Sequence, residues 1–227
     1  MYLDKKVCAV IVAAGKGRRM GFDKMLYKID GVAVVEKSIM AFQNNPLVDS
    51  IVVVAGDNIE DIKELASKHS KVKAVVMGGA ERAESVANGL KETEAGCLVA
   101  VHDGARPFVT AETIGENIAL MADYDCVTTA VPAIDTILVS ENGADVQAIP
   151  DRKTMFAVQT PQTFRVTELI AAIDSLTEEE KSSLTDGAKI YLLKGRSVGI
   201  AKGGAENIKI TEPKDIAIGE AILNQRK

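Results

Sequence analysis

Tryptophan is missing from this 227-residue chain, histidine occurs twice and cysteine three times. His69 and His102 lie far apart in sequence, which argues against a zinc site. Cys8, Cys97 and Cys126 each sit in an apolar run, VCAV, GCLVA and DCVTT. An odd number of buried thiols argues against a disulfide framework and for a reducing cytoplasm. No apolar run approaches the ~18 residues of a membrane span. The opening MYLDKKVCAVIV runs straight into a strand pattern without a cleavage site, so it does not read as a signal peptide. Basic charge is also short: 27 Lys and Arg against 32 Asp and Glu leave a net charge of −5. General nucleic-acid binding through a basic surface is thereby disfavoured. Three familiar motifs are missing too. From Gly15 the sixth position is Met20, so the dinucleotide fingerprint fails, and no Ser or Thr follows a Gly-Lys pair to make a P-loop. No G-x-S-x-G elbow offers a nucleophile.

What is present is a rhythm of short apolar runs and helical patterns. Val7–Val12, Ser50–Ala55, Val72–Val76, Cys97–Val101 and Cys126–Val131 read as strands. Val34–Phe42, Asn58–His69, Glu81–Lys91 and Ala111–Met121 between them read as helices, with Asp57 or Asn58 able to cap the second. Repeated strand–helix units predict an α/β fold with a doubly wound, mostly parallel sheet. Ligands on such sheets bind beyond the carboxyl ends of the strands. The rhythm breaks between about Pro132 and Phe164. There, Thr136–Val139 and Val146–Ile149 flank a Glu141-Asn142-Gly143 turn and predict a hairpin with too little core to stand alone. Such a hairpin folds onto the sheet or projects into a partner subunit. Helical patterns return at Val166–Ser175 and Leu184–Leu193, and Asn207–Ile210 reads as a last strand leading through Pro213 into a terminal helix.

Chemistry concentrates at the predicted strand ends. Ala13-Ala14-Gly15-Lys16-Gly17-Arg18-Arg19 follows the first strand, and Lys24 follows the loop. Glycines there let N–H groups approach an anion, with fork-shaped and point charges beside them, as a triphosphate requires. The same sequence also suits an ordinary strand-to-helix turn with solvated arginines. Asp103, in Val101-His102-Asp103-Gly104-Ala105-Arg106-Pro107, is placed to hold magnesium through one oxygen or to form an ion pair with Arg106. Gly78-Gly79-Ala80-Glu81-Arg82-Ala83-Glu84-Ser85 opens a helix whose N–H groups suit a base or a phosphate. Lys209 is a charge inside an apolar run, which either reaches water or serves a site. Arg19, Lys24 and Lys209 with one carboxylate suit phosphoryl or nucleotidyl transfer, where positioning and charge neutralisation carry most of the catalysis.

The motifs AAGKGRRMG, GGAERAESVANGL, VHDGARP, VPAIDTI, DR…AVQTPQTF, LTD and NIKIT, in that order over nearly the whole chain, resemble the sugar-phosphate nucleotidyltransferases. Among these the chain is most similar to the methylerythritol-phosphate cytidylyltransferases, with the ribitol-phosphate cytidylyltransferases as the alternative. The resemblance implies a Rossmann-like nucleotidyltransferase fold as one domain over 1–227, with 133–155 as a dimerisation arm. It implies CTP and a polyol phosphate as substrates, magnesium, and a cytoplasmic homodimer with an active site shared through the arm. Arg19 and Lys24 match the pair that stabilises the transition state. Arg152 and Lys209 match groups that position the attacking phosphate, and Asp103 matches the metal-linked aspartate. Arg106 and Thr136 match contacts to the alcohol phosphate. Ala13, Ala14, Gly15, Gly17, Gly79, Ser85 and Gly104 match positions around the nucleotide. Thr136, Arg152 and Thr160 would serve the partner's active site. The chain departs from the family at Asp23 and Met25 around Lys24, and at Ala80 and Gly104. A regulatory module that binds nucleotide without catalysis is a reading of another class. It has no use for an acceptor-phosphate group such as Arg152.

Overall fold

The computed structural model describes residues 2–15, 20–177, 179–180 and 186–226. Its centre is a seven-stranded sheet built from β1 (Val7–Val12), β4 (Ser50–Ala55), β5 (Val72–Met77), β6 (Leu98–Asp103), β7 (Cys126–Pro132), β8 (Phe156–Arg165) and β9 (Val198–Lys202). A two-stranded ribbon, β2 (Lys28–Ile29) and β3 (Val32–Ala33), stands apart from it. The strand order is β5-β4-β1-β6-β8-β7-β9, parallel except where β8 pairs antiparallel with β6 and with β7.

Side-chain alternation explains the layering. Val7, Ala9 and Ile11 of β1 face one core with α1 (Val34–Gln43), α2 (Ile59–Ala66) and α4 (Ala111–Ala119). Cys8 and Val10 face another, with α3 (Arg82–Leu90), α5 (Val166–Asp174) and α6 (Gly187–Leu193). Both faces of β1 are therefore covered, and each fully buried Val or Ile contributes roughly 1.5–3 kcal/mol. A third apolar cluster, with Ile29, Val34, Phe108, Ile210 and Ile222, seats α7 (Pro213–Gln225) over the β2–β3 ribbon. No helix among the described residues is long and apolar enough to cross a membrane.

Four sequence expectations are corrected. Residues 156–164, read as part of an irregular break, form most of β8, which lies between β6 and β7. Its polar Gln159, Thr160, Gln162 and Thr163 are buried, so no apolar run marked it. Strand β9 was also unmarked; it is a short edge strand containing Gly199. Asn207–Ile210 is not a strand: Asn207 and Ile208 N–H donate to the Gly204 and Glu206 carbonyls just before them, and Ile210 N–H donates to the Ala105 carbonyl at 2.8 Å. In the 133–155 arm the two predicted strands reduce to one isolated bridge between Val139 and Ala148. The Asn142-Gly143 turn does form, with Gly143 at φ +72° and the Asn142 side chain accepting from Ala144 and Asp145 N–H. Leu184 of the predicted Leu184–Leu193 helix lies outside the described residues, and α6 is seen from Gly187.

Candidate active site

The chain runs outward from β1 to β4 and β5, then returns to place β6 on the other side of β1. A crevice opens at such a reversal, beyond the carboxyl ends of the strands. Here the ends of β1, β5 and β6 bring Ala14, Gly15, Gly79 and Asp103 around a cavity of about 570 Å³, which Lys24, Arg82, Ser85, Lys209 and Thr211 also line. A neighbouring cavity of about 630 Å³ shares Ala14, Gly15, Gly79 and Ala80 and continues to Asp23, Asn58 and Met77.

Asp103 ends β6 at the cavity wall, 8% exposed. Its Oδ2 lies 2.9 Å from Lys209 Nζ and 3.8 Å from Arg106 Nε, and its Oδ1 lies 3.3 Å from Arg82. Burial alone would push this carboxyl up. The charges of Arg82, Lys209 and Arg106 reverse that and hold it well below the usual carboxylate range. Lys24 is also buried and donates to the Ile210 carbonyl at 3.1 Å, which draws the loop after β1 onto the segment carrying Lys209. Asp23 fixes that loop from the other side: its carboxylate accepts from Met25 N–H at 2.9 Å and from Asn58 Nδ2 at 2.6 Å. Met25 itself packs in the core. Asn58 thus ties two loops together instead of capping α2 through its side chain.

The turn from β5 into α3 has its own hydrogen-bond logic. Gly78 N–H donates to the Ala55 carbonyl at 2.8 Å, Gly79 N–H to Ser85 Oγ at 3.1 Å, and Ala80 N–H to Glu84 Oε2 at 2.7 Å. Three consecutive donors are engaged internally, so the turn offers a ligand its carbonyl oxygens. Ser85 Oγ accepts from Gly79, which leaves its own proton to donate. A base edge carrying an amino group beside an acceptor complements that pattern. Ala80 shapes the turn through its backbone, so its lack of a side-chain acceptor leaves this pattern intact.

The expected residues separate into three groups. Ala14, Gly15, Lys24, Gly79, Ser85, Asp103 and Lys209 converge on one cavity, and Ala13 lines its neighbour. Gly104, Arg106 and Thr160 stand behind the wall: the Gly104 carbonyl accepts from Ser38, Arg106 donates to the Asn207 carbonyl at 2.8 Å, and Thr160 Oγ1 accepts from Asp103 N–H at 3.0 Å. Thr160, expected to serve a partner, is buried against its own chain's Asp103 because β8 runs beside β6. Thr136 and Arg152 lie exposed in the arm and line neither cavity; Arg152 bonds the Ile134 carbonyl at 3.1 Å. Gly17 and Arg19 lie outside the described residues.

Arg82 was the group that sequence reasoning passed over. It is the first residue of α3, where the helix dipole disfavours a cation. A positive residue in that place signals an anionic partner, and the structure supplies Asp103.

A sequence model of the 2-C-methyl-D-erythritol 4-phosphate cytidylyltransferase family matches residues 7–225. The cytidylyltransferase of that name from Alkaliphilus metalliredigens is 39% identical over 100% of this chain and 97% of its own length. That from Geobacter metallireducens is 38% identical over 97% of this chain and 98% of its own. Among solved structures, 4-diphosphocytidyl-2C-methyl-D-erythritol synthase from Anaerococcus prevotii superimposes with a TM-score of 0.85 at 29% identity, covering 97% of this chain and 96% of that one. The cytidylyltransferase from Thermus thermophilus gives 0.79 at 26% identity, with 96% and 99% covered. The cleft at the strand reversal, its cation-ringed aspartate and these matches lead to one assignment: the chain belongs to the 2-C-methyl-D-erythritol 4-phosphate cytidylyltransferase family.

Proposed function

We propose that the chain transfers the cytidylyl group of CTP to the phosphate of 2-C-methyl-D-erythritol 4-phosphate, releasing pyrophosphate in isoprenoid precursor synthesis. The observation that carries this reading is the family match from residue 7 to 225, which spans every segment that builds the cleft. An oxygen of the acceptor phosphate attacks the α-phosphorus of CTP in line. As that bond forms, the bond to the bridging oxygen of the β-phosphate breaks, and its electrons leave with pyrophosphate. No covalent enzyme intermediate is required, so the protein's task is positioning and charge neutralisation.

Lys24 and Arg19 are assigned to the charge that grows on the α-phosphate, and Lys209 to the attacking phosphate. The buried position of Lys24 on the cavity wall supports its part, since a cation in a dry site acts more strongly than in water. The turn at Gly78–Ala80 suits the amino edge of cytosine. Asp103 is the assigned magnesium ligand. Among the described residues no group of three or more His, Cys, Asp or Glu could hold a metal ion. Asp103 and Glu81 are the carboxylates on the cavity wall, and Asp103 already meets Lys209 and Arg82. An ion held there would keep waters and take most of its ligands from substrate phosphates. When bound, magnesium neutralises triphosphate charge.

Residues 1–227 act as one nucleotidyltransferase unit, with 133–155 as an arm that reaches a second copy. Its apolar side chains face solvent in the single chain, Ile134 at 81% and Ile149 at 64% exposure, which supports their burial in a dimer. Thr136 and Arg152 then serve the partner's acceptor phosphate. Buried free Cys8, Cys97 and Cys126 support a cytoplasmic setting.

The test is magnesium-dependent pyrophosphate release from CTP, with methylerythritol phosphate and ribitol 5-phosphate offered in parallel. Release with the first alone is expected, and chelation of the metal should stop it. Release with the second alone, or with neither, would overturn the substrate assignment.

A further inference from the structure

Beside the cavity, and outside it, His102 is fully buried with its ring centroid 5.0 Å from that of Phe42. An apolar group gains stability from burial in this core without further help; an imidazole there needs partners for both nitrogens. Nε2 lies 3.1 Å from the Arg106 carbonyl and Nδ1 lies 3.1 Å from Thr160 Oγ1. A carbonyl only accepts, so the proton sits on Nε2. Nδ1 then accepts from the Thr160 hydroxyl, whose oxygen in turn accepts from Asp103 N–H at 3.0 Å.

The reason for this chain lies in β8. The antiparallel ladder between β6 and β8 ends at Val101–Gln162. Continued, it would set His102 against Pro161, which has no N–H to give. Against β7, residues 160 and 161 fall where the register shifts and neither is paired in the ladder; the Pro161 carbonyl accepts from the Thr129 side chain instead, at 2.7 Å. A side-chain relay replaces the missing ladder. It extends further: Asn207 Nδ2 donates to the Thr160 carbonyl at 2.9 Å and Arg106 to the Asn207 carbonyl at 2.8 Å. The relay thus joins the end of β6, the bulge of β8 and the segment that carries Lys209.

We propose that His102 is a positioning residue for cytidylyl transfer, holding Asp103 and Lys209 in register through Thr160 and the Arg106 carbonyl, with its proton on Nε2. The proposal rests on the reading of the cleft as the transfer site. His102 does not touch substrate. Removing it loosens the frame, and a shift of about 1 Å among reacting groups costs up to about 10²-fold in rate.

Two measurements test it. The chain has two histidines, so imidazole ¹⁵N–¹H correlation spectra of the uniformly labelled whole protein resolve each ring. An Nε2–H tautomer for the ring lost in His102→Leu is expected; an Nδ1–H tautomer would overturn the proposal. In steady-state assays with CTP and methylerythritol phosphate, His102→Leu should lower kcat at least about 10-fold with KM for CTP within about twofold of wild type. His102→Gln, whose amide can donate to the Arg106 carbonyl, should recover part of kcat. Wild-type kcat in His102→Leu, or losses in kcat, KM and thermal stability that move together, would overturn it. Should His102→Leu fail to fold, the His102→Gln kinetics and the wild-type tautomer decide. Inactivity of the wild type would instead refute the underlying function, and the spectrum does not depend on that outcome.

Discussion

Gly78→Ala is the sharpest probe of how the cleft is shaped. A Cβ at this position would lie 2.4 Å from Ala14 Cβ and 2.9 Å from Ser85 Oγ, where ordinary contact begins near 3.4 Å. The loop after β1 must therefore withdraw from the turn after β5 by about 1 Å. Neither side is a flexible tip: Ala14 has no further atoms to swing aside, and Ser85 is held by Gly79 N–H. Overpacking of this kind costs roughly 1–3 kcal/mol. For a chain of this length that lowers Tm by roughly 2–4 °C per kcal/mol, so a fall of several degrees is expected in a thermal melt. Misplacing the two walls of the nucleotide site should also raise KM for CTP or lower kcat by about 10-fold to 10²-fold. Gly115→Ala is the control. Gly115 lies inside α4, and among the described residues a Cβ there would come within 4 Å of Leu47 alone, at 3.9 Å. Helix propensity should therefore stabilise the variant by up to about 1 kcal/mol with CTP kinetics unchanged. Wild-type melting and CTP kinetics in Gly78→Ala would refute the claim that this contact sets the cleft.

Lys24→Ala and Lys209→Ala should each lower kcat by about 10²- to 10³-fold in pyrophosphate release, because they act on charge in the transition state; near-normal turnover would remove that residue from its role. Arg152→Ala should raise KM for methylerythritol phosphate about 10-fold while CTP binding, read by calorimetry, stays near wild type. Mixed Arg152→Ala and Arg19→Ala subunits should regain activity if the arm completes the partner's site, and no recovery after proven subunit exchange would refute that. UTP should be used at least about 10²-fold less efficiently than CTP, since the Gly78–Ala80 turn has its donors engaged and presents acceptors; comparable kcat/KM for both would refute the reading of that turn.

The parts of the fold that were legible in the sequence are those whose stability comes from apolar burial. β1 and β4 are built mainly of Val, Ile and Ala, and the helices that cover them repeat at helical spacing. Arg82 was written in the sequence as a cation on the first turn of a helix, and Lys209 as a charge in an apolar run; both face Asp103. β8 was hidden for a different reason. Its buried Gln162 donates to Thr128 and to Asp186, Thr163 to Asn117, and Asn117 to the Pro161 carbonyl. Those partners are 24 to 46 residues away, so no local pattern foretells that these polar groups will be satisfied inside. An unpaired buried donor would cost about 1–3 kcal/mol, which makes the network all-or-none and the strand unstable without the whole fold around it. Local consistency fails at β8 because Thr160 must meet the end of β6 with a polar atom, while Gln159 donates to the Gly204 carbonyl and accepts from Asn207. An apolar β8 would be easier to read and to fold, but it would have no hydroxyl to hold the backbone of Asp103.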